Sequence, residues 1–240
     1  MAPAVTVEGL SVIFLTGFIP PLLWLWFWLK EDPHPEPKKS LLTSFILGIA
    51  VVPVVLLAEY GWFKIALNLQ IVNPNNDSSL WLLAPWAFIE EFAKFSVAWW
   101  ADLKRSVYDE PVDAIIYLIT VALGFAAMEN VLFLMKTTGA ESGLFTLLAT
   151  ADLRFIGASI LHTVAAGIVG VSIAFTFFHP KHHIRNIWGG IALATILHTS
   201  FNKFIIGVEG SGGVFQIFFV IWTLALILIF FFEKVKRIRA

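Results

Sequence analysis

The sequence WAFIEEFAKFSVAWW, at residues 86–100, combines a run of apolar and aromatic residues with Glu90, Glu91 and Lys94. It belongs to an apolar segment that is long enough to cross a membrane, for which about 20 residues are needed. A charge inside a membrane helix costs about 2.5–3.5 kcal/mol on insertion scales, so such residues usually have a partner and a function. The segment therefore predicts a membrane helix that faces a polar site inside a bundle.

The composition of the whole chain agrees with a membrane protein. Of the 240 residues, 58% are apolar and only 14% are charged, whereas soluble domains have about 45–50% and about 25%. At about 20 residues per helix, this apolar content suffices for about seven membrane helices. The absence of cysteine excludes disulfides, iron–sulfur clusters and thiolate zinc sites. A net charge of -1 gives no reason to expect nucleic acid as a partner.

Polar loops divide the chain into seven predicted membrane spans. The stretch at 61–72 is too mixed to span and is interpreted as an interfacial or re-entrant helix, with an eighth span as the alternative. The segment at 137–151 is interpreted as lying along the surface. The first span should stay as an uncleaved anchor, because no positive charge precedes it. The predicted spans are 8–29, 40–60, 80–100, 112–135, 152–178, 187–206 and 214–232.

The distribution of Lys and Arg predicts the orientation of the bundle. With the N-terminus outside, eleven of these residues fall in inside loops, and only Lys64 and Lys136 fall in outside loops. Because inside loops carry the excess of positive charge, we expect the N-terminus outside and the C-terminus inside. The fold class is therefore all-α, a polytopic membrane helix bundle. Residues 1–240 should form a single integral membrane domain, with a motif-bearing core at about 80–206.

Four predicted spans carry ionisable side chains at a similar depth. A helix rises 1.5 Å per residue, which puts Glu90 and His162 about 15 Å from the outer surface. The same count puts His198 at about 12 Å and Glu129 at about 9 Å. Agreement in depth between four separate spans predicts that these side chains meet in one place.

These residues are compatible with two kinds of hydrolytic chemistry. A zinc hydrolase needs about three His or carboxylate ligands, an open position for water and a general base. Without metal, a glutamate can activate water while histidine or asparagine stabilises the oxyanion. Glu90 and Lys94 are four residues apart and share a helix face, as do His198 and Asn202. The zinc signature H-E-x-x-H is absent, so the pattern alone leaves a hydrolase and an ion path open.

Four motifs in this order resemble the PrsW family of intramembrane proteases, within the CAAX-protease and bacteriocin-processing (Abi) superfamily. They extend over about residues 88–202. Prenyl-protein endopeptidases look like E-E-x-x-x-R and F-x-x-x-H, where this chain has Lys94 and Glu129, so the resemblance is to the PrsW branch. The motifs are E-E-x-x-K at 90–94, P-V-D-x-x-x-Y and G-F-A-x-x-E-N at 111–117 and 124–130, Arg154 before His162, and H-x-x-x-N at 198–202.

The resemblance implies that a metalloprotease, with zinc as the expected metal, cuts a peptide bond in or beside the membrane of a prokaryotic cell. The substrate would be a membrane-anchored protein or peptide, and the family is best known for the first cut of a membrane-bound anti-sigma factor. Carried over by position, the catalytic set is Glu90, Glu91, Glu129, His162, His198 and Asn202, supported by Lys94, Asn130 and Arg154. The implied metal ligands are Glu129, His162 and His198, with Glu90 or Glu91 as base or further ligand.

Other classes of protein also place acids and histidines inside membrane spans. A proton- or cation-coupled transporter is the main alternative, but it predicts inverted repeats or broken helices, and the sequence has neither. A non-catalytic membrane scaffold of the same fold and a haem-binding bundle that uses His162 and His198 are further alternatives.

Overall fold

A computed structural model of the chain describes residues 7–73, 79–137, 144–207 and 211–238. These residues contain seven α-helices and no strand, which confirms the all-α prediction. A turn of π-helix at Trp99–Leu103 follows α3, and a short 3-10 helix at Pro180–His182 precedes α6. The helices are α1 Val7–Glu31, α2 Lys38–Asn68, α3 Leu80–Ala98, α4 Asp113–Thr137, α5 Leu144–Ala174, α6 His183–Gly207 and α7 Ser211–Val235.

Five of the described helices, α1, α2, α4, α5 and α7, are long and apolar enough to cross a membrane. The two others, α3 and α6, are more polar because they carry the residues that the sequence singles out. In α3 these are Glu90, Glu91 and Lys94, and in α6 they include His198 and Asn202.

The prediction of a separate element at 61–72 is wrong, because α2 continues without a break to Asn68. Its last turns pack against the start of α3, where Trp62 contacts a small cluster around Leu82. The indole N–H of Trp62 also donates to the carbonyl oxygen of Trp81 at 2.9 Å. Packing of one helix face stabilises the helix here despite its mixed composition.

The segment predicted to lie along the surface, 137–151, falls partly outside the described residues. From Leu144 onward it is described as helix, and it forms the first turns of α5.

Helix α4 forms the centre of the bundle and contacts α1, α2, α3 and α5. Its crossing with α2 depends on two glycines. A Cβ atom at Gly124 would overlap the carbonyl oxygen of Phe45, and one at Gly48 would overlap the carbonyl oxygen of Val121. Because each glycine faces backbone of the other helix, α2 and α4 approach more closely than side chains would allow. This contact fixes α4, which carries Glu129, against α2.

Candidate active site

Helix α3 contributes a buried cation between two buried acids. The ammonium of Lys94 donates to Glu90 Oε2 at 3.2 Å and to Glu91 Oε1 at 2.8 Å. It also lies 4.4 Å from the ring centroid of Phe125 on α4. The pairing of Glu90 with Lys94 that the spacing predicts is thus present, and Glu91 shares the same lysine. All three side chains are at least nine-tenths buried, so their charges interact in a medium of low dielectric constant.

Helix α6 brings His198 against both acids. Its Nδ1 lies 2.8 Å from Glu91 Oε1, and its Nε2 lies 3.9 Å from Glu90 Oε1. Because an ionised carboxylate only accepts hydrogen bonds, the proton of a neutral His198 sits on Nδ1. The lone pair of Nε2 is then directed to the side of the ring where Glu90 lies.

Helix α5 brings in His162, whose two ring nitrogens have different partners. Nδ1 lies 2.8 Å from Lys94 Nζ, and Nε2 lies 2.8 Å from Glu129 Oε2. Since an ammonium group has only donors, Nδ1 accepts and Nε2 donates its proton to Glu129. Glu129 therefore stands behind the ring, on the edge away from Lys94. The rings of His162 and His198 are 5.3 Å apart and nearly perpendicular.

The donor set of this cluster fits a divalent metal ion. Glu90, Glu91, His162 and His198 each offer one donor atom, and these four atoms lie within 4.8 Å of one another. Zinc takes nitrogen and carboxylate oxygen ligands at about 2.0–2.2 Å, so small side-chain rotations would bring such atoms onto one ion. Three carboxylates, counting Glu129, stand against the single ammonium of Lys94. With neutral imidazoles, the formal charge of the cluster is complementary to a dication.

Two other predicted residues, Asn130 and Asn202, are not among the donors of this cluster. Asn130 Nδ2 donates to the carbonyl oxygen of Gly17 at 3.4 Å, which links α4 to α1. Asn202 lies one turn beyond His198 on α6 and is partly buried, and its side chain forms no hydrogen bond with another described residue. Arg154 belongs to α5, but its side chain lies outside the described part of the structure.

Sequence reasoning missed Glu59, which lines a cavity beside the cluster. This cavity has a volume of about 240 Å³ and is bordered by Glu90 and Glu129 as well as by Glu59 of α2 and Lys136 of α4. Its other walls are apolar, among them Leu56. The signal was available, because Glu59 is an acid inside the predicted span 40–60, and the cost of such a charge applies there too.

A buried cluster of histidines and carboxylates, inside a bundle of apolar helices and beside a cavity, is typical of a polytopic membrane protein with an internal polar site. The model of the PrsW family of intramembrane metalloproteases matches residues 36–230, and the chain belongs to this family. It is an intramembrane protease and a multi-pass integral membrane protein of a prokaryote, which confirms the predicted activity and location. The transporter and scaffold alternatives are not favoured.

Curated relatives agree with the family match. The chain is 27% identical over 213 residues to Protease PrsW of Geobacillus kaustophilus, which covers 88% of this chain and 85% of that protein. It is 26% identical over 217 residues to Protease PrsW of Oceanobacillus iheyensis, with 89% and 93% covered. Protease PrsW of Bacillus subtilis is 30% identical over 124 residues, with 51% and 54% covered. No solved structure matches the chain.

Proposed function

We propose that this intramembrane protease is metal-dependent and that its catalytic centre is the cluster of Glu90, Glu91, His162 and His198. The observation that carries the proposal is the convergence of four donor atoms within 4.8 Å in a buried position. These donors come from α3, α5 and α6, so the bundle itself assembles the set. The excess of carboxylate over ammonium in the cluster supports a bound dication.

The hydrogen bonds of the two histidines suggest which residues would hold the metal. His198 would bind through Nε2, because its Nδ1 faces Glu91, and His162 would bind through Nδ1, because its Nε2 faces Glu129. Since Nδ1 of His162 accepts from Lys94 in this structure, the ammonium would turn away from His162 when the ion binds and keep its contacts with Glu90 and Glu91. Carboxylates in this position fix the tautomer and the orientation of a ligating ring. We therefore assign Glu129 to positioning His162, although the family resemblance implies a ligand there. Zinc bound at the cluster supplies Lewis-acid polarisation of the scissile carbonyl and activation of water.

Glu90 is the best candidate for the general base, because it belongs to the cluster and also lines the cavity. In this role Glu90 takes a proton from water as the water oxygen bonds to the scissile carbonyl carbon. The same carboxyl group then gives the proton to the departing amine as the C–N bond breaks. Lys94 holds Glu90 and Glu91 in place, and Asn202, one turn beyond His198, is proposed to stabilise the oxyanion. Arg154 and Asn130 have supporting roles in this scheme.

The cavity is proposed to admit the substrate and water. It reaches from Glu90 to Glu59 and Lys136, and its apolar walls suit a segment that leaves the lipid phase. We propose that all seven helices cross the membrane, because Glu90, Glu91 and Lys94 of α3 and His198 of α6 are buried in the protein rather than exposed to lipid. The distribution of Lys and Arg supports an N-terminus outside. In this orientation the cluster lies in the outer half of the membrane, and the cut falls near the outer leaflet.

With the cut near the outer leaflet, we propose that the substrate is a membrane-anchored protein. A cut at this depth suits the first, regulatory cleavage of such a protein. We further propose that residues 1–240 form one membrane domain with its catalytic core at about 80–206. The E-E and H-x-x-x-N motifs support placement of the family within the CAAX-protease and Abi superfamily.

The proposal is tested by metal analysis and cleavage assays on purified full-length protein. Wild type purified with zinc present should carry about one zinc ion. Metal and cleavage should both be lost in His198→Ala, whereas Glu90→Gln should retain metal but lose cleavage. His183→Ala is a matched control on the same helix, outside the cluster, and should retain both.

Two outcomes contradict different parts of the proposal. Cleavage by metal-free wild type would refute metal dependence and favour a mechanism in which glutamate alone activates water. Full cleavage by both His198→Ala and Glu90→Gln would show that the cluster is not the catalytic centre.

A further inference from the structure

Glu59 of α2 is held beside the proposed catalytic cluster by a contact between two helices. The indole N–H of Trp86 on α3 donates to the backbone carbonyl oxygen of Glu59 at 3.0 Å. Trp86 lies one turn before Glu90, so this hydrogen bond places Glu59 and Glu90 at neighbouring heights in the bundle. Both residues border the same cavity of about 240 Å³. The position of Glu59 at the cavity is therefore set by the packing of α2 on α3.

The carboxyl group of Glu59 differs from the other acids at this cavity, because those acids have basic partners. Glu90 accepts from Lys94 at 3.2 Å. Glu129 lies 2.8 Å from Nε2 of His162. Among the residues that the structure describes, no Lys, Arg or His lies within ion-pair distance of Glu59. Glu59 is also not one of the four donors of the proposed metal centre. An acid in a membrane helix usually has a partner and a function, and in the described chain this partner is missing.

The cavity as a whole attracts positive charge. Of the described residues that border it, three are acids, Glu59, Glu90 and Glu129, and one is a cation, the exposed Lys136. Glu90 and Glu129 act on the Glu59 carboxylate through space, and Lys94 attracts it only from beyond ion-pair distance. The other walls are apolar, so these charges are screened less than in water. A positive group that enters the cavity gains most beside Glu59, which no basic side chain occupies.

We propose that Glu59 is a specificity-determining residue that binds the positive side chain of a Lys or Arg in the substrate. A sphere with the volume of the cavity is about 8 Å across. An extended chain advances about 3.3–3.6 Å per residue, so the basic residue lies within about two residues of the scissile bond at Glu90. The long stem of Lys or Arg covers the apolar wall while its charged head meets Glu59. The inference rests on the proposed catalytic centre and adds the class of substrate, a membrane-anchored segment with a basic residue at the cut.

Cleavage of matched peptides by the purified full-length protein in liposomes tests this assignment. A library of synthetic peptides, each with one apolar transmembrane segment and randomised residues around its outer end, first locates the cuts by mass spectrometry. Peptides that differ only by Lys, Gln or Glu at the preferred position then give values of kcat/KM. Wild type should favour the Lys peptide over the Gln peptide by about 10–100-fold, the factor that corresponds to one hydrogen bond between charged groups.

Substitutions at Glu59 separate specificity from a structural role. Glu59→Gln should abolish the preference by slowing cleavage of the Lys peptide alone. Glu59→Lys should reverse the order and favour the Glu peptide, whereas a residue needed only for folding would affect all peptides alike. Glu31→Gln is a matched control, because it removes a partly exposed acid of α1 that does not border the cavity. This control should keep the preference of wild type.

Carbodiimide coupling provides a readout that does not require turnover. The reagent joins a carboxylate to an amine in contact with it, which forms an amide and converts the carbodiimide to a urea. With the Lys peptide, mass spectrometry should find the crosslink at Glu59, whether or not the peptide is cut.

Several results would overturn the assignment. These are equal cleavage of the Lys and Gln peptides by wild type, an unchanged preference in Glu59→Gln, loss of cleavage of every peptide in Glu59→Gln, and a crosslink that misses Glu59. Full cleavage by His198→Ala with the preference for Lys retained would refute the proposed catalytic centre and leave the role of Glu59 intact. The two proposals can therefore fail separately.

Discussion

Replacement of Lys94 by methionine should test how the proposed catalytic cluster is held together. The change removes the ammonium that contacts Glu90, Glu91 and His162 at 2.8–3.2 Å but keeps a side chain of similar length. Hydrogen bonds to charged groups contribute about 1.5–3 kcal/mol each. The sum of three such hydrogen bonds is an upper limit for the loss of unfolding free energy, because Glu91 keeps its hydrogen bond to His198 in the variant. Removing one partner of a buried ion pair costs about 3–5 kcal/mol, which is the loss of unfolding free energy that we expect.

The effect is measured by thermal unfolding in detergent with tryptophan fluorescence, for which the ten tryptophans provide the signal. In the absence of metal, Lys94→Met should lower the Tm by about 6–20 °C relative to wild type. Zinc should stabilise the variant more than the wild type, because a dication replaces the missing charge among the carboxylates. The additional change Glu91→Gln should recover part of the loss, since the two sites are coupled through their contact.

The exposed Lys64 provides a matched control. Lys64→Met makes the same chemical change on the surface of α2, where substitutions usually alter stability by no more than about 0.5 kcal/mol. If Lys94→Met is no more destabilising than this control, the ion pairs of the cluster contribute nothing to stability, and the argument that Lys94 holds Glu90 and Glu91 in place fails.

Three further changes probe other parts of the structure. Glu129→Gln should lower cleavage about 10–100-fold with little change in Tm, because the ring of His162 loses its positioning carboxylate; unchanged cleavage would exclude that role. Gly124→Ala should destabilise the fold where α4 meets α2, whereas Gly61→Ala, in open space on α2, should stabilise it by up to about 1 kcal/mol; equal Tm shifts would contradict the close crossing. Burial raises the pKa of Asp102, in the turn after α3, to about 6. The folded protein therefore binds this proton more tightly than the unfolded chain, so the free energy of unfolding should fall as pH rises from about 4 to 6. Asp102→Asn, measured in the presence of a chelator, should flatten that pH profile.

Much of the fold and part of the site could be predicted from the sequence. Apolar runs and polar loops define the helices, and the distance of each ionisable residue from the end of its span fixes its height in the membrane. Height alone was sufficient to predict that Glu90, Glu129, His162 and His198 belong together. It does not give the rotation of a helix about its axis, which moves by about 100° per residue. This is why Asn130, next to Glu129, contacts α1 instead of the cluster.

Contacts between distant connections could not be predicted in the same way. Glu36 and Asp109 lie in predicted connections and Asp113 lies at the start of a predicted span, and only the packing of α2 on α4 brings these acids together. The extent of α2 beyond residue 60 likewise depends on Trp62, whose partner lies on α3. In each case the deciding interaction is with another element, and a local pattern does not contain it.

The proposed catalytic cluster also has a consequence for biogenesis. Its acids lie on α3, but His198 comes 107 residues after Glu91, on the sixth of the seven described helices. On the proposed assignment, a chain that is inserted into the membrane in order has no complete active centre until α6 has entered and packed. We then expect that neighbouring membrane proteins are not exposed to a working protease during synthesis, and that a truncated chain that lacks α6 is inert.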